Sequence, residues 1–332
     1  MIRSPLLLVL FFALPAQAQD APIPACVTAL SVPLPGADQP DAKARARLEG
    51  CDSESLYYGA GRDDVDARLC AYLERDTGGL VFGGSAMLMM LYANGRGVAR
   101  DYALARRFAC EVEAAPAELD GRLEHIAQME AEASPAELDL CDDITSGYMM
   151  GFCAEREASA RAREHEQLWA RLQSSWGEAD RAAWQVLRRT ADDFFQARVE
   201  GEVDVSGTAR GAFIVGEQRQ LEEDLLASVQ AFERGELPRG DAAASKAADA
   251  QLNASYRAAR AAAKPENPED TYGSLGTVMP DAIRDVERAW LKYRDAWVVF
   301  GKQRYPSVPP DAWLDFFTRK REAQLRELVE GL

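Results

Sequence analysis

Between residues 280 and 300 the large apolar side chains fall at Ile283, Val286, Trp290, Tyr293, Trp297 and Phe300, a spacing of 3, 4, 3, 4 and 3. That rhythm draws one continuous apolar stripe along about five turns of helix, and such a stripe has to be buried. A second seam, Leu252, Tyr256, Ala259 and Ala263, runs 4, 3, 4 and sets small residues opposite large rings, so the two helices are expected to pack together. Pro265 marks the loop between them, and Pro306, Pro309 and Pro310 set off a final amphipathic helix over about 311–330. Elsewhere alanine, arginine, glutamate and leucine dominate, with apolar positions three and four apart, which favours helix over strand. The one strand-like stretch, Val203-Asp204-Val205, is too short to found a sheet. The fold class predicted is all-α: short stacked helical hairpins followed by a multi-helix bundle.

Two hairpins are legible in the front half. Ser85–Tyr92 and Asp101–Phe108 read as helices joined by Ala93-Asn94-Gly95-Arg96-Gly97-Val98, where Gly95 and Gly97 give the backbone freedom to reverse and Asp101 is placed to cap the second helix. Leu56-Tyr57-Tyr58-Gly59-Ala60-Gly61 followed by Asp66-Ala67-Arg68-Leu69-Cys70 repeats the theme with a shorter turn. Repetition at this period means stacked hairpins. Ahead of them, residues 19–45 are rich in proline and read as an extended, mobile lead-in arm.

Composition adds an address. Arg3, the apolar run Leu6–Leu14 and Ala16-Gln17-Ala18 make a signal peptide over 1–18, so the mature chain is expected to start near Gln19 in the periplasm or outside the cell. No later run is long enough to span a membrane. All six cysteines, Cys26, Cys51, Cys70, Cys110, Cys141 and Cys153, lie in the mature chain and none follows Cys153. In an oxidising compartment they allow up to three bridges in any of fifteen pairings. The front half is therefore stapled, whereas the back half relies on packing. The formal charge of −16 excludes nucleic acid and favours a cationic partner, or serves solubility alone.

Two resemblances follow from these motifs. The Leu-Tyr-x-x-Gly-x-Gly-Val turn at 91–98 with Asp101 and Ala105-x-x-Phe108 resembles the Sel-like repeats, relatives of the tetratricopeptide repeat, over about 50–115. This implies a short adaptor surface, with a bridge such as Cys70 to Cys110 tying equivalent helices of neighbouring hairpins. Farther on, Cys141…Thr145…Met149…Cys153-Ala154, then Asp249-x-x-Leu252-Asn253-x-x-Tyr256, then Glu287-x-x-Trp290-x-x-Tyr293-Arg294-Asp295 resemble the LprI-like lysozyme inhibitors. Glu287 stands where that family usually has glutamine. The family cysteine after Arg-Asp is missing, its region being filled by Trp297 and Val298. The opening and closing motifs also lie far apart. Leu187–Arg198 parallels Ile283–Arg294, and Arg219-Gln220-Leu221 parallels the end at Gln324-Leu325, which reads as an internal duplication with an insertion of eight or, alternatively, as convergence of amphipathic helices. The expected organisation is a Sel-like region over 46–140, a degenerate LprI-like unit over 141–235 and an LprI-like domain over 236–332.

Candidate chemistry is sparse. His125 and His165 stand alone in charged helical runs, with no nucleophile or orienting acid marked out beside them. Cys141 and Cys153 with His165 do not have the spacing of a zinc site. The Gly95-Arg96-Gly97 turn lacks the lysine of a phosphate loop. Met87, Met89 and Met90 read as core filler, or alternatively as the wall of a peptide groove. The expectation is a protein without catalytic residues, cofactor or metal. The resemblance implies that it binds a protein, a cationic lysozyme being the leading candidate, with Tyr293, Arg294 and Asp295 as candidate contact residues; alternatively, Tyr293 belongs to the buried seam and Arg294 and Asp295 form structural ion pairs, for instance Arg294 with Asp249. Leu252, Asn253, Tyr256 and Trp290 are expected as structural motif positions. The alternative is an envelope adaptor that holds a partner on its Sel-like hairpins, marked by an exposed groove near Met90. A peptidoglycan-cleaving enzyme would instead bring two carboxylates together in a cleft.

Overall fold

The computed structural model describes residues 24–78, 81–267 and 269–330. The signal peptide expected over 1–18 lies outside the described residues. Among them the chain forms thirteen α-helices and no strand, and it divides into two compact units, one ending at Asp143 and the other starting at Ile144.

In the first unit, α1 (Pro24–Ala29) is followed by a 3-10 turn (Gly36–Asp38) and by α2 (Ala42–Arg47), α3 (Ser53–Tyr58), α4 (Asp64–Thr77), α5 (Gly84–Asn94), α6 (Tyr102–Ala109) and α7 (Pro116–Glu132). Asp52, Asp63 and Asp101 cap α3, α4 and α6, each side chain accepting from a backbone N–H three residues on. Helix α5 is apolar all round, and Met87, Met89 and Met90 are fully buried in it. Around it the hairpins close on a few polar anchors. The buried carboxylate of Glu74 accepts from the backbone N–H of Ser53 at 2.8 Å and of Gly84 at 3.0 Å, so one side chain holds the starts of α3 and α5. Gly97 is held by close approach: a Cβ there would come within 2.1 Å of the Asp64 carbonyl oxygen.

The proline-rich arm is not extended where it is described. Pro24 takes the first turn of α1, where a missing N–H does no harm, and Cys26 is bonded to Cys110 at the end of α6. Arg107 donates to the Val32 carbonyl at 2.7 Å, and Tyr92 donates to Asp38 at 2.9 Å. The expected Cys70–Cys110 bridge does not form, because Cys51, just ahead of α3, lies 6.0 Å (Cα to Cα) from Cys70 on α4 and takes it instead. Cys141 and Cys153 are disulfide-bonded too, and no cysteine is free.

The second unit holds α8 (Gly147–Gln173), α9 (Glu178–Gly201), α10 (Arg210–Glu233), α11 (Ala242–Ala262), α12 (Pro280–Arg304) and α13 (Pro310–Glu330). The predicted seam of α12 is buried from Ile283 to Phe300. Its main partner is α9 rather than α11. Helix α9 brings Trp184, Phe194 and Phe195, large enough to meet the rings of α12, and Phe194 stacks on Tyr293 at 5.3 Å. The alanine-rich α11 lies close against α13, burying Ala248, Leu252 and Ala259. Trp297 closes the core by stacking on Phe317 of α13 at 4.5 Å and meeting Phe232 of α10 edge-on at 5.7 Å. Val203-Asp204-Val205 is a clasp and not a strand: Asp204 accepts from the Thr277 N–H at 3.0 Å, and Val205 donates to the Thr277 hydroxyl at 2.8 Å. Trp297→Ala is expected to lower unfolding stability by about 3–5 kcal/mol, read by chemical denaturation; a change below about 1 kcal/mol would mean that α12 is not packed as described.

Candidate partner-binding face

Helix α12 carries two opposite faces. Its inner face is the seam, and Tyr293 belongs to it, at 8% exposure and with its phenol pushed up by burial. Tyr293 is thus a core residue and offers nothing to a partner. Arg294 turns back along the helix, its guanidinium 5.1 Å from the centre of the Trp290 ring, and donates to Asp295 at 2.9 Å. The pairing with Asp249 is not made. Asp249 lies one turn before Asn253 on α11 and accepts from its side-chain amide at 3.2 Å. Of the three expected contact residues only Asp295 stands well out in solvent, at 65%.

The outer face of α12 adds residues that the motifs did not point to. Leu291 and Val299 lie four positions either side of Asp295, with 40% and 59% of their surface exposed. Leu291, Asp295 and Val299 therefore form a stripe one turn apart on the side away from the seam. The signal was present in the sequence as two apolar side chains out of phase with the buried set.

The other motif residues are structural. Leu252 is buried, Asn253 hydrogen-bonds back within its own helix to the Asp249 carbonyl at 2.8 Å, and Tyr256 is half-buried beneath Arg260, whose guanidinium is 5.6 Å from the ring centre. Trp290 is buried as the centre of the seam. The position that departs from the family glutamine has a partner: Glu287 accepts from Nε of Arg321 at 3.1 Å, and Arg321, with no exposed surface, also donates to Glu202 at 2.8 Å. Burial pushes the Glu287 carboxyl up, and neighbouring Glu202 adds to this, so that Arg321 does not bring it back to the ordinary value. Two carboxylates do converge here, part-buried Glu287 and buried Glu202, and both accept from the enclosed Arg321.

The remaining candidates are accounted for by geometry. Met90 is fully buried under Tyr58 and Leu140, its sulfur 3.3 Å from the phenol and 3.2 Å from the backbone N–H, so its side chain is not on an exposed surface. His125 is paired with Asp143 at 3.0 Å. No group of three or more histidine, cysteine, aspartate or glutamate side chains is placed to hold a metal among the described residues, and no helix among them is long and apolar enough to cross a membrane.

Comparison with known families gives the helices of this region a name. Residues 241–328, α11 to α13 almost entire, match the family model described as Lysozyme inhibitor LprI. They form an LprI domain. No curated protein and no solved structure matches the chain. The LprI domain holds 13 acidic and 14 basic side chains, whereas residues 24–143 hold 22 and 11, so the acidic surplus sits outside the domain that carries the family match. Position 287 tests the buried cluster. Because its folded pKa is raised, the ionised carboxyl is disfavoured by folding; this penalty is full above the raised folded value, fades as pH falls from there toward the ordinary glutamate value of about 4.3, and is absent below it, where the side chain is protonated in both states. Glu287→Gln is therefore expected to change stability by less than about 1 kcal/mol at pH 7 and by nothing below pH ~4. Arg321→Met, which strands two buried carboxylates, should cost about 3–5 kcal/mol in the same denaturation assay.

Proposed function

We propose that the protein is an exported protein-binding module of the lysozyme-inhibitor kind, acting by non-covalent docking and not by catalysis. The observation that carries this reading is the LprI match over residues 241–328. The bonded cysteines fit an oxidising compartment outside the cytoplasm. The docking face would be the outer stripe of α12, Leu291, Asp295 and Val299, where two exposed apolar side chains flank an acid. Such a patch supplies short-range contact area, and burying apolar groups at the centre of an interface sets dissociation more than encounter.

The division of charge assigns the two parts of the chain different shares in such a complex. A near-neutral LprI domain has little long-range pull on a cationic lysozyme, so attraction at a distance would come from the acidic surplus outside it, most of it in residues 24–143. That pull is screened by salt, while the α12 contact is screened much less.

Titrating the oxidised mature chain into lysis of peptidoglycan by a cationic lysozyme tests the reading. Stoichiometric inhibition is expected at low and at physiological salt. Val299→Asp should weaken it at least tenfold, about 1.4 kcal/mol, without moving the melting temperature. Inhibition that disappears at physiological salt, or none at either salt, sinks the inhibitor reading.

A further inference from the structure

We infer that residues 144–233 are a second, diverged LprI unit, and that it serves as the in-chain partner supplying the main cover for the seam of the matched LprI domain, of which α13 covers only a part. The first support is helix order. In each half of the second unit the first and third helices run side by side in the same direction: Glu157 and Arg161 of α8 meet Arg219 and Glu223 of α10, while Gly240, just before α11, lies against Ala312 and Asp315 of α13 and Ser255, farther along α11, meets Glu322. The middle helices, α9 and α12, then pack on each other in opposite directions, with Gly201 at the end of α9 against Val286 near the start of α12, and Arg304 at the end of α12 on Asp180 near the start of α9.

That arrangement is what two copies of one three-helix unit make when related by a twofold axis through their middle helices. The loops obey the same relation. Asp204, in the α9–α10 loop, grips Thr277 in the α11–α12 loop. Its counterpart is the end of α12, where Arg304 reaches Ser175 at 3.5 Å and lies over Trp176, both in the α8–α9 turn. Reciprocal contacts of this kind follow from symmetry and are not required of six unrelated helices.

The sequence agrees where the copies can be aligned. Phe194 and Trp290, equivalent in the internal match, meet at one small cavity near the middle of the crossing. Leu221 and Leu325 are also equivalent, and four residues before each stands a charged residue paired with the middle helix of its own copy, Glu217 with Arg198 of α9 and Arg321 with Glu287 of α12. The charge is reversed between copies. The front copy has also loosened: α8 buries no side chain, and a groove of about 380 Å³ remains between α8 and α10, whereas α11 is closed onto α13. Loss of close packing at α8 is expected of a copy kept for the surface that covers α12.

The test uses the oxidised full-length mature chain with a protease site placed in the linker, residues 234–241. No cysteine lies beyond Cys153, so cutting leaves the LprI domain held by packing alone. After cleavage the two pieces are expected to elute together on gel filtration. Once separated in denaturant and refolded by dilution, the C-terminal piece should pair with itself through α12, running at twice its mass, and adding back the front piece should convert the pair to a 1:1 complex. A C-terminal piece that leaves on cutting, or that refolds as a monomer with native helicity, overturns the inference. If the piece precipitates alone, refolding it with the front piece decides: recovery of the 1:1 complex supports the inference, and failure to recover it overturns it. None of these readouts involves lysozyme, so a failure here is distinct from a failure of inhibition.

Discussion

The second unit rests on the need of one helix face to leave water. Ile283, Val286, Trp290, Tyr293, Trp297 and Phe300 lie on a single side of α12 and cannot be covered by the helix itself. At about 1.5–3 kcal/mol for each large side chain buried, this stripe outweighs any local preference of the segment. Most of it is met by α9, with α13 and α10 closing the ends through Phe317 and Phe232. The alanines of α11 could never have filled that role, since a ring needs atoms opposite it and a methyl group leaves a gap.

Charge is built into this core alongside the rings. Arg321 is wholly enclosed and shared between Glu202 at the end of α9 and Glu287 on α12. Removing three ionised groups from water is expensive, and their mutual attraction offsets that expense only in one geometry. An arrangement with α9 slid by a turn along α12 would keep some apolar contact but leave the arginine without Glu202. The aromatic seam therefore supplies the bulk of the stability, while the buried charges discriminate among registers that the seam alone would tolerate.

Much of this was legible in the sequence. The all-helical class, the α12 seam and the loop at Pro265 follow from periodicity, because a buried helix writes its burial into the spacing of its own residues. Which helix covers that seam does not follow, since the spacing on α12 is silent about its partner, and choosing α11 over α9 put alanines opposite tryptophans. Proline misled in the lead-in arm, where Pro24 begins a helix rather than preventing one. Tyr293 sits in the family motif and in the seam at once, and its register with Trp290 and Trp297 decides for the core. Leu291 and Val299 were missed because attention to the buried phase of the helix hides apolar residues that break it.

The first unit has a bond pattern whose effect reaches beyond the folded state. Cys51–Cys70 lies inside the segment that Cys26–Cys110 encloses, one covalent ring nested in another spanning 84 residues. A chain delivered N-terminus first into an oxidising compartment exposes Cys26, then Cys51, and only later either native partner. Pairing in order of arrival would join the first two and trap the segment in the wrong topology. In a chain delivered that way, maturation of the first unit would depend on thiol–disulfide exchange releasing Cys26 from such a bond once α6 has emerged, and its yield would follow the isomerase capacity of the compartment more closely than that of the LprI domain, which has no cysteine.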